Sequence, residues 1–528
     1  MQHLLVASSF TFIHLLLVSP QPNLKMVVLV ILLAFVAFLC LITWWWQVSC
    51  SSYWRVRGVP YIAGFPFIGA LRGVVFFQKS VTELFLQLYN DAETKNEPIV
   101  GFYFFHKPSL LIRDPELIKR ILVKDFNNFP DRRLTPDPQT DGVGFNIMPV
   151  TKGDTWKKVR GHISPVFTGV RMKNFFALLS EVAKVFEKKM ARDTQNGCHV
   201  YDVKDLFGHL TLDMIAICAF GIETNSLSRD SEFYAQVKKI TDFTLERSIN
   251  FNGAYFFPEL SPILKFNIIP KSTSNFLRNS IKEVMEVRER TNTMRQDLID
   301  VLIRMKNTNK DVFFGDVLVA QAAIFVSAGY ETTSSATSFA LYELAKHPQI
   351  QEKVREEILK ELENGGISYE RINKLEYLNM VIQETLRLYP TVPFLDRVFM
   401  PTGQQGEFYT LEPHHKFSIP RGMPVYIPVV GIHRDPKFYP DPLTFNPERF
   451  RVNERGDRNQ YVFLSFGQGP RGCIGARFGM LQVKLALISV LKSFRVECCD
   501  TTPRTIRISK KSLIMQSEDP INLIFRKL

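Results

Sequence analysis

Apolar residues follow two different patterns along this 528-residue chain. Over residues 26–46 they form one uninterrupted run without a charge, whereas after residue 81 they return mostly every three or four positions, the spacing of amphipathic helices. This spacing predicts helices over residues 114–122, 170–190, 202–220 and 476–491. Residues 316–345 have the length of a long helix with few helix breakers, and residues 99–105 and 109–112 have the pattern of short strands. We therefore expect a mainly α-helical domain with small β-sheets.

The apolar run over residues 26–46 is long enough to cross a bilayer as a helix. Three consecutive tryptophans end it, as in the aromatic belt of a membrane interface. Arg55 and Arg57 follow the run, and Lys25 is the only lysine or arginine before it, so the positive-inside rule puts the bulk of the chain in the cytosol. A buried core helix is the alternative, which the length and the lack of charge disfavour.

Four segments follow from these patterns. Residues 26–48 are predicted to be a transmembrane signal-anchor helix, residues 49–70 a stiff linker rich in proline and glycine, and residues 71–528 one large domain. Residues 1–25 form an apolar extension with three interpretations: a signal-peptide core, a further membrane segment, or a stretch upstream of a start at Met26. The sequence does not decide among the three.

Charge and cysteine content narrow the function. The net charge is +13, yet the chain has no long basic run, so a nucleic-acid partner is not expected, and a basic face for an acidic protein or an anionic membrane fits better. The seven cysteines are odd in number and irregularly spaced, which is typical of a reducing compartment and not of a disulfide framework.

One cysteine, Cys473, lies in a glycine-rich loop, FLSFGQGPRGCIGARFG, immediately before the predicted helix 476–491. A helix N-terminus directs N–H groups at such a sulfur, which predicts a lowered thiol pKa and a thiolate ready to bind a metal or act as a nucleophile. The alternative is a buried small apolar residue at a turn. The loop pattern Phe-x-x-Gly-x-x-x-Cys-x-Gly, with Phe466, Gly469, Cys473 and Gly475, resembles the haem-binding loop of cytochromes P450.

Further motifs carry the same resemblance in the family's order. Trp156 and Arg160 match a Trp-x-x-x-Arg motif that contacts a haem propionate in relatives, and Arg397 falls where relatives place another propionate-binding arginine. Arg471, two residues before Cys473, is within reach of an anionic group of the cofactor. Arginine suits this task because its fork pairs with a carboxylate. Glu384 and Arg387 match the family's Glu-x-x-Arg, whose third member is the arginine of PERF, Arg449; the resemblance implies a structural triad. His433 is interpreted as a turn residue and not as an iron ligand.

The predicted helix over residues 316–345 carries AGYETT, which breaks the rule that hydroxyl side chains are unfavourable inside helices. An ordinary solvated turn is the alternative. The resemblance implies that this segment crosses the distal face of the haem, where Thr332 contacts bound oxygen and Glu331 relays protons. It also implies that the aromatic-rich segment 251–266 lies above the active site and dips into the membrane.

Together the motifs predict the cytochrome P450 fold and a membrane-bound haem-thiolate monooxygenase, most similar to insect microsomal enzymes that metabolise xenobiotics. The resemblance implies haem b held by Cys473, O2 as oxidant, and NADPH electrons from a separate reductase, with cytochrome b5 as a possible second donor, because the sequence has no flavin or NADPH module. The expected location is the endoplasmic reticulum membrane, facing the cytosol. Lys484 and Lys492 are predicted reductase contacts.

The substrate is expected to be small and lipophilic, among xenobiotics, insecticides, plant toxins, fatty acids and steroids. Positions relative to the motifs predict an apolar pocket lined by Phe145, Met148, Phe325, Ala328, Val392 and Phe394. Two alternatives stay open: a haem-thiolate isomerase or dehydratase, which has no need of a Glu331–Thr332 relay, and a non-catalytic haem sensor or electron carrier.

Overall fold

A computed structural model describes residues 22–528 apart from 228–229, 309–312, 364, 402–405, 455 and 457–458. The fold is mainly helical with three small sheets. Its helices are α1 (Pro22–Val56), α2 (Arg72–Val75), α3 (Val81–Tyr89), α4 (Pro115–Lys119), α5 (Gly142–Phe145), α6 (Gly153–Ile163), α7 (Gly169–Asp193), α8 (Val203–Phe220), α9 (Glu232–Thr241), α10 (Leu245–Phe256), α11 (Ser261–Leu264), α12 (Lys271–Thr291), α13 (Leu298–Thr308), α14 (Asp316–Lys346), α15 (Pro348–Glu363), α16 (Tyr369–Ile372), α17 (Glu376–Leu388), α18 (Val429–His433) and α19 (Ala476–Leu491).

The strands form three sheets. They are β1 (Ile99–Phe104), β2 (Lys107–Ile112), β3 (Cys198–Asp202), β4 (Leu395–Val398), β5 (Phe408–Thr410), β6 (Ser418–Pro420), β7 (Pro424–Ile427), β8 (Phe494–Cys498) and β9 (Asn522–Lys527). The first sheet has the order β1-β2-β7-β4, with β2 and β7 parallel, the second has the order β3-β9-β8, and β5 pairs with β6. The predicted strands and long helices are thus confirmed within a few residues.

Local sequence explains where several helices begin and end. Ser80 and Glu83 form a reciprocal capping box at α3, and the Asp202 carboxylate accepts the Lys204 N–H at the start of α8. Gly221 ends α8 in the left-handed conformation, with a φ of 65°, which glycine adopts without strain.

Helix α14 lies at the centre of the domain. It packs along α8 and against α19 and α17, and twenty-two of its residues are buried, so most of its circumference is covered by other elements. The largest apolar core combines α14 with residues of α6, α7, α8, α17 and α19. This packing places the AGYETT segment and the Cys473 loop, which precedes α19, on either side of one core.

The N-terminal helix differs from the predicted boundary. Within the described residues, Met26–Val56 is the one helix long and apolar enough to span a membrane. It stays helical up to Val56, so the predicted non-helical linker 49–70 begins only at Arg57. The Trp54 side chain explains the extension, because it is fully buried against β1 and its indole N–H donates to the Phe102 carbonyl.

The aromatic-rich segment over residues 251–266 is also more regular than a surface loop. Its first part belongs to α10, and a 3-10 turn (Pro258–Leu260) leads into α11. Ile263 and Leu264 on α11 expose 73% and 56% of their surface, which leaves an apolar tip at this end of the domain.

Candidate active site

The loop before α19 is held in shape by its own backbone. The Cys473 N–H donates to the Phe466 carbonyl over 2.7 Å, and the Gly472 N–H donates to the Gly469 carbonyl over 2.9 Å. Gly469 has a φ of 72°, and a Cβ atom there would collide with the Leu122 carbonyl oxygen. This position therefore requires glycine for the fold itself, beyond the cofactor contact that the resemblance implies.

The Cys473 sulfur lies at the N-terminus of α19, where it accepts the Gly475 N–H. Part of its surface is open. Burial nevertheless raises the pKa of the thiol, and this effect outweighs the opposing ones of the Gly475 N–H and of Arg160 and Arg132. The predicted position at a helix N-terminus is confirmed, but the predicted lowering of the pKa is wrong for the chain alone, because desolvation is the larger effect.

Four arginines lie around this loop: Arg132, Arg160, Arg397 and Arg471, called the arginine cluster below. Arg397 is fully buried; one nitrogen donates to the Asp396 carbonyl over 2.7 Å, and its Nε has no partner. Burial and the neighbouring Arg132 lower the pKa of Arg397 to about 9. A buried guanidinium with a donor nitrogen that has no hydrogen-bond partner is a favourable binding site for an anion.

Arg471 is engaged differently from Arg397. Its nitrogens donate to the carbonyls of Pro130 and Thr151, over 2.8 Å and 2.9 Å, and its guanidinium lies 4.2 Å from the centre of the Trp156 ring. Burial and two neighbouring arginines lower its pKa to about 9. Arg471 therefore connects the cysteine loop to the segment before α6. The Trp156 ring packs against its guanidinium in a cation–π contact.

The two remaining members approach the cysteine itself. Arg160, half-buried on α6, lies near enough to Cys473 for each to affect the other's pKa, and burial lowers the pKa of Arg160. Arg132, which the motifs did not reveal, donates to the Arg471 carbonyl over 3.2 Å and keeps a buried Nε without a partner. The sequence contained one signal for this residue: Arg132 and Arg133 are adjacent in the long loop over residues 129–152.

The cluster has more positive charge than the protein neutralises. Asp131 lies 3.5 Å from Arg471, and the Asp396 carboxylate accepts the Arg133 N–H, so two carboxylates face four cluster guanidiniums. Arg397 and Arg471 are buried and Arg132 and Arg160 are partly exposed, so this excess of positive charge favours binding of an anion from outside the chain. The two propionates of haem supply two carboxylates, and the neighbouring Cys473 offers a sulfur ligand for its iron. The residues present therefore fit the group that the resemblance implies.

On α14, Glu331 and Thr332 point in different directions. The Thr332 hydroxyl donates to the Ala328 carbonyl over 2.7 Å on a partly open face of the helix. The Glu331 side chain is 4% exposed, and its carboxylate accepts bonds from Lys204 on α8, over 2.6 Å, and from Ser335, over 2.9 Å. The sequence predicted the acid and the hydroxyl, but it did not reveal the lysine.

The predicted pocket residues divide into two groups. Phe145 and Met148 belong to the segment at α5, Ala328 shares the open face of Thr332, and Val392 is 41% exposed. Ile324, which was not predicted, lies one turn before Ala328 and packs with apolar residues of α5 and α10.

Phe325 and Phe394 correct the pocket prediction. The Phe394 ring stacks on Phe85, with centroids 4.2 Å apart, and is 3% exposed, so a closed aromatic group surrounds it. The Phe325 ring stacks on Phe167 at 5.4 Å and lies 5.9 Å from Phe478, so it packs between α14 and α19. Both side chains are used for packing between elements.

The triad residues meet as a buried ionic group. The Arg387 guanidinium forms two bonds to the Glu384 carboxylate, over 2.7 Å and 2.8 Å, and both side chains are fully buried. The Arg449 Nε lies 3.4 Å from the same carboxylate. A third nitrogen of Arg387 donates to the carbonyls of His433 and Pro442, each over 2.8 Å. This fork explains why lysine would not serve at Arg387.

His433 connects this triad to the cysteine loop. It ends α18, its Nε2 accepts the Leu464 N–H over 2.9 Å, and its Nδ1 lies 3.2 Å from the Arg387 carbonyl. Burial and the positive Arg387 lower the pKa of His433 to about 3, so the imidazole is neutral at neutral pH. The prediction of a turn residue did not include a second role. Through its bond to the Leu464 N–H, His433 also fixes the start of the loop that carries Cys473.

Of the two lysines predicted to contact a reductase, Lys484 is buried, and Lys492, which follows α19, is partly exposed and paired with a carboxylate. Lys484 is 5% exposed, donates to the Ile372 carbonyl over 3.3 Å, and has a pKa lowered by burial to about 8. Lys492 lies 2.7 Å from the Glu187 carboxylate. This corrects the prediction, because residues 476–491 form a helix buried on nearly all sides. Lys157 and Lys158 on α6 and Arg477 on α19 are exposed instead.

Comparison with known proteins gives consistent matches over this whole domain. A sequence model of the family described as cytochrome P450 matches residues 63–525. The chain is 40% identical over 490 residues to "Probable cytochrome P450 6g2" of Drosophila melanogaster, covering 89% of this chain and 94% of the relative. It is 37% identical over 508 residues to "Probable cytochrome P450 6w1" of the same fly (94% and 98% covered) and 36% identical over 500 residues to "Cytochrome P450 6k1" of Blattella germanica (90% and 93%).

Proposed function

Because this chain belongs to the cytochrome P450 family, whose members are haem-thiolate monooxygenases, we propose that it inserts one atom of O2 into small lipophilic substrates, with NADPH electrons from a separate reductase. The observation that carries this proposal is the arginine cluster beside Cys473, whose excess of positive charge fits the carboxylates of haem. The proposed substrates are xenobiotics, including insecticides and plant toxins, or endogenous lipids and steroids.

The chain would hold the cofactor through residues with different tasks. Cys473 would supply the sulfur ligand, Arg397, Arg132 and Arg160 would bind the propionates, and Phe466 would pack beneath the ring. When bound, the haem supplies the iron that activates O2, and an anionic sulfur donor favours cleavage of the O–O bond. Gly475 would help to keep the sulfur anionic, because its N–H already donates to that atom.

The open face of α14 would control substrate and protons. Ala328, Ile324, Phe145 and Val392 would provide an apolar surface on which a lipophilic molecule displaces water, whereas Met148 is buried in the largest apolar core. The Thr332 hydroxyl would exchange its bond to Ala328 for one to the reacting group, and Glu331 would replenish the proton. An isomerase or dehydratase would not need this pair, so Thr332→Ala should lose coupling only in a monooxygenase.

Membrane attachment would come from two surfaces. Helix α1 exposes apolar side chains over most of residues 26–48, and the exposed Ile263 and Leu264 on α11 add a second apolar site. We propose the endoplasmic reticulum membrane, with the domain on the cytosolic face.

The reductase would dock on the cysteine side of the domain. Lys157 and Lys158 are exposed on α6, whose Trp156 and Arg160 approach the cysteine loop, and Arg477 is exposed in the first turn of α19. Charge reversal of both lysines to glutamate should raise the apparent KM for reductase about tenfold, since electrostatic steering speeds docking. Lys511→Glu, on an exposed lysine elsewhere, is the control; cytochrome b5, as a second donor, should follow the same pattern.

The decisive test of the function is spectroscopic. The reduced protein with carbon monoxide should show the strongly red-shifted Soret band of a thiolate-bound ferrous haem, and Cys473→Ser should lose this band while the fold persists. NADPH with reductase should then oxidise a lipophilic probe. A haem band at the shorter, imidazole-like position, or a thiolate band without any turnover of such probes, would argue for a sensor or carrier instead.

A further inference from the structure

Two cysteines are adjacent in the chain where β8 ends. Cys498 is the last residue of the strand and is exposed, and Cys499, which follows it, is partly exposed. The Cys499 carbonyl accepts the Thr502 N–H over 2.9 Å, so the backbone leaves the strand in a β-turn at this residue. The chain therefore presents two neighbouring thiols at one surface turn.

The turn surrounds the Cys499 sulfur with hydrogen-bond donors. The hydroxyl oxygens of Thr501 and Thr502 lie 3.2 Å and 3.4 Å from the sulfur. Thr502 directs its hydroxyl hydrogen to the Asn522 carbonyl over 2.5 Å, whereas the Thr501 oxygen accepts the Asn522 side-chain amide over 3.3 Å and keeps its own hydrogen for the sulfur. The neutral Cys499 thiol donates to the Asn522 carbonyl over 3.5 Å. Thr501 is thus the side chain that favours the thiolate over the thiol.

The two thiols differ in acidity as a result. Burial opposes ionisation of Cys499, but the hydrogen bonds from Thr501 and Thr502 outweigh it and lower the pKa of this thiol. Burial raises the pKa of the Cys498 thiol, against the opposing effect of the nearby Lys346. The pair therefore combines one activated thiol with one ordinary thiol close to it.

A cysteine with a packing role has a different environment in this protein. Cys218 is fully buried in the largest apolar core, and burial raises the pKa of its thiol. Cys498 and Cys499 belong to none of the apolar cores that the described residues form, and solvent reaches both. Access and a stabilised thiolate are the two requirements of a reactive thiol.

We propose that Cys498 and Cys499 form a reversible redox site that exchanges with small disulfides such as glutathione disulfide. The Cys499 thiolate attacks one sulfur of the small disulfide, whose S–S bond breaks, and the second half leaves as a thiolate. The Cys498 thiolate then attacks the Cys499 sulfur, and the first half leaves in the same way. The two cysteines lose two electrons and two protons, and the small disulfide is reduced to two thiols. This inference does not depend on the proposed monooxygenase function.

The adjacent positions make the oxidised form easy to reverse. Across the trans peptide between the two residues the Cα atoms are about 3.8 Å apart, closer than the about 4.4–6.8 Å of most disulfides. A bond between them is strained and easily reduced, so it should persist only while small disulfides are abundant relative to thiols. This fits the reducing compartment that the cysteine content indicates. Lys346, exposed near Cys498, favours the approach of an anionic disulfide.

Mass spectrometry of the full-length protein, first reduced and then exposed to glutathione disulfide, tests the site. In the wild type, the peptide with both cysteines should lose two hydrogens, and an excess of reduced glutathione should restore it. Cys498→Ser should instead accumulate one glutathione on Cys499, because the resolving thiol is absent. Thr501→Val should slow the reaction of Cys499 about tenfold, because the thiolate loses a donor.

Cys198 is the matched control. It is exposed on β3, in the same sheet as β8, but has no adjacent cysteine. Cys198→Ser should leave the reaction of Cys499 unchanged, and Cys198 itself should react at least about tenfold more slowly than Cys499. If Cys498→Ser does not fold, Cys498→Ala traps the same mixed disulfide. Equal rates at Cys198 and Cys499, or no glutathione on Cys499 in a folded Cys498 variant, would overturn the inference.

Discussion

Two groups of arginines at the candidate site, the triad and the arginine cluster, differ in how their charge is neutralised. In the triad, Arg387 and Arg449 converge on Glu384, and the remaining donors of Arg387 meet backbone carbonyls. In the arginine cluster, Arg397 and Arg132 each keep a buried nitrogen without a partner, and each is close to other cations. The triad contains its own buried carboxylate, whereas in the cluster two carboxylates face four guanidiniums.

This difference separates a structural role from a binding role without reference to any motif. A buried ion pair that is broken costs more than it contributed when intact, because one charge remains without compensation. A buried cation with no partner already has this cost in the free protein. The triad should therefore matter most for folding, and the cluster most for retention of the cofactor. The following substitutions test that division.

The largest effect is expected when the carboxylate of the triad is removed. Glu384→Ala leaves Arg387 and Arg449 buried without an anion, which should destabilise the domain by about 3–5 kcal/mol, much of a typical domain stability. Urea unfolding and the yield of soluble protein measure this. The haem-thiolate spectrum should disappear as a consequence of misfolding, and full-yield protein with normal stability would contradict the structural role of the triad.

The opposite outcome is expected in the cluster. Arg397→Met removes a buried charge that forms a hydrogen bond to the Asp396 carbonyl but no ion pair with the described residues, so the stability of the haem-free chain should stay equal or rise. Haem retention should fall about tenfold to a hundredfold, the equivalent of about 1.5–3 kcal/mol for a hydrogen bond to a charged group. Haem loss to an excess of apomyoglobin measures retention. Equal losses of stability in Arg397→Met and Arg387→Met would contradict the distinction between the triad and the arginine cluster.

The connection between triad and cysteine loop should give a pH dependence. The pKa of His433 is about 3 in the folded chain against 6.5 in the unfolded chain, so its contribution to stability is fully present above pH 6.5. The unfolded state binds the proton first as pH falls, and stability should decline between pH 6.5 and 3 by up to about 1.4 kcal/mol per pH unit. His433→Gln should reduce this acid slope in unfolding experiments; an unchanged slope would mean that other groups cause it.

The smallest effect is expected at the surface. Lys173 and Glu370 lie 2.7 Å apart, but their side chains are 64% and 56% exposed. Solvent screens such a pair, so Lys173→Ala should leave the thermal midpoint unchanged within error. A clear loss of stability here would show that pairing by itself, and not burial, distinguishes the triad from the cluster.

The sequence by itself determined the fold class and the chemically active residues. Periodic apolar positions predicted α14 and α19 nearly to the residue, because their spacing depends only on which side chains must be buried. The glycine and cysteine spacing predicted the loop, since its turns require glycine within a few residues of Cys473. Motif order also identified the triad, whose members lie on local elements with recognisable neighbours.

Only the tertiary structure decided what those side chains face. The pKa of Cys473 depends on burial by distant segments, and the apolar character of Phe325 and Phe394 did not reveal whether they pack against protein or line a pocket. Lys204 is 127 residues from Glu331 in the chain, and no local pattern connects the two. Periodicity specifies which positions are buried, but the partner of a buried charge is set by the packing of α8 on α14.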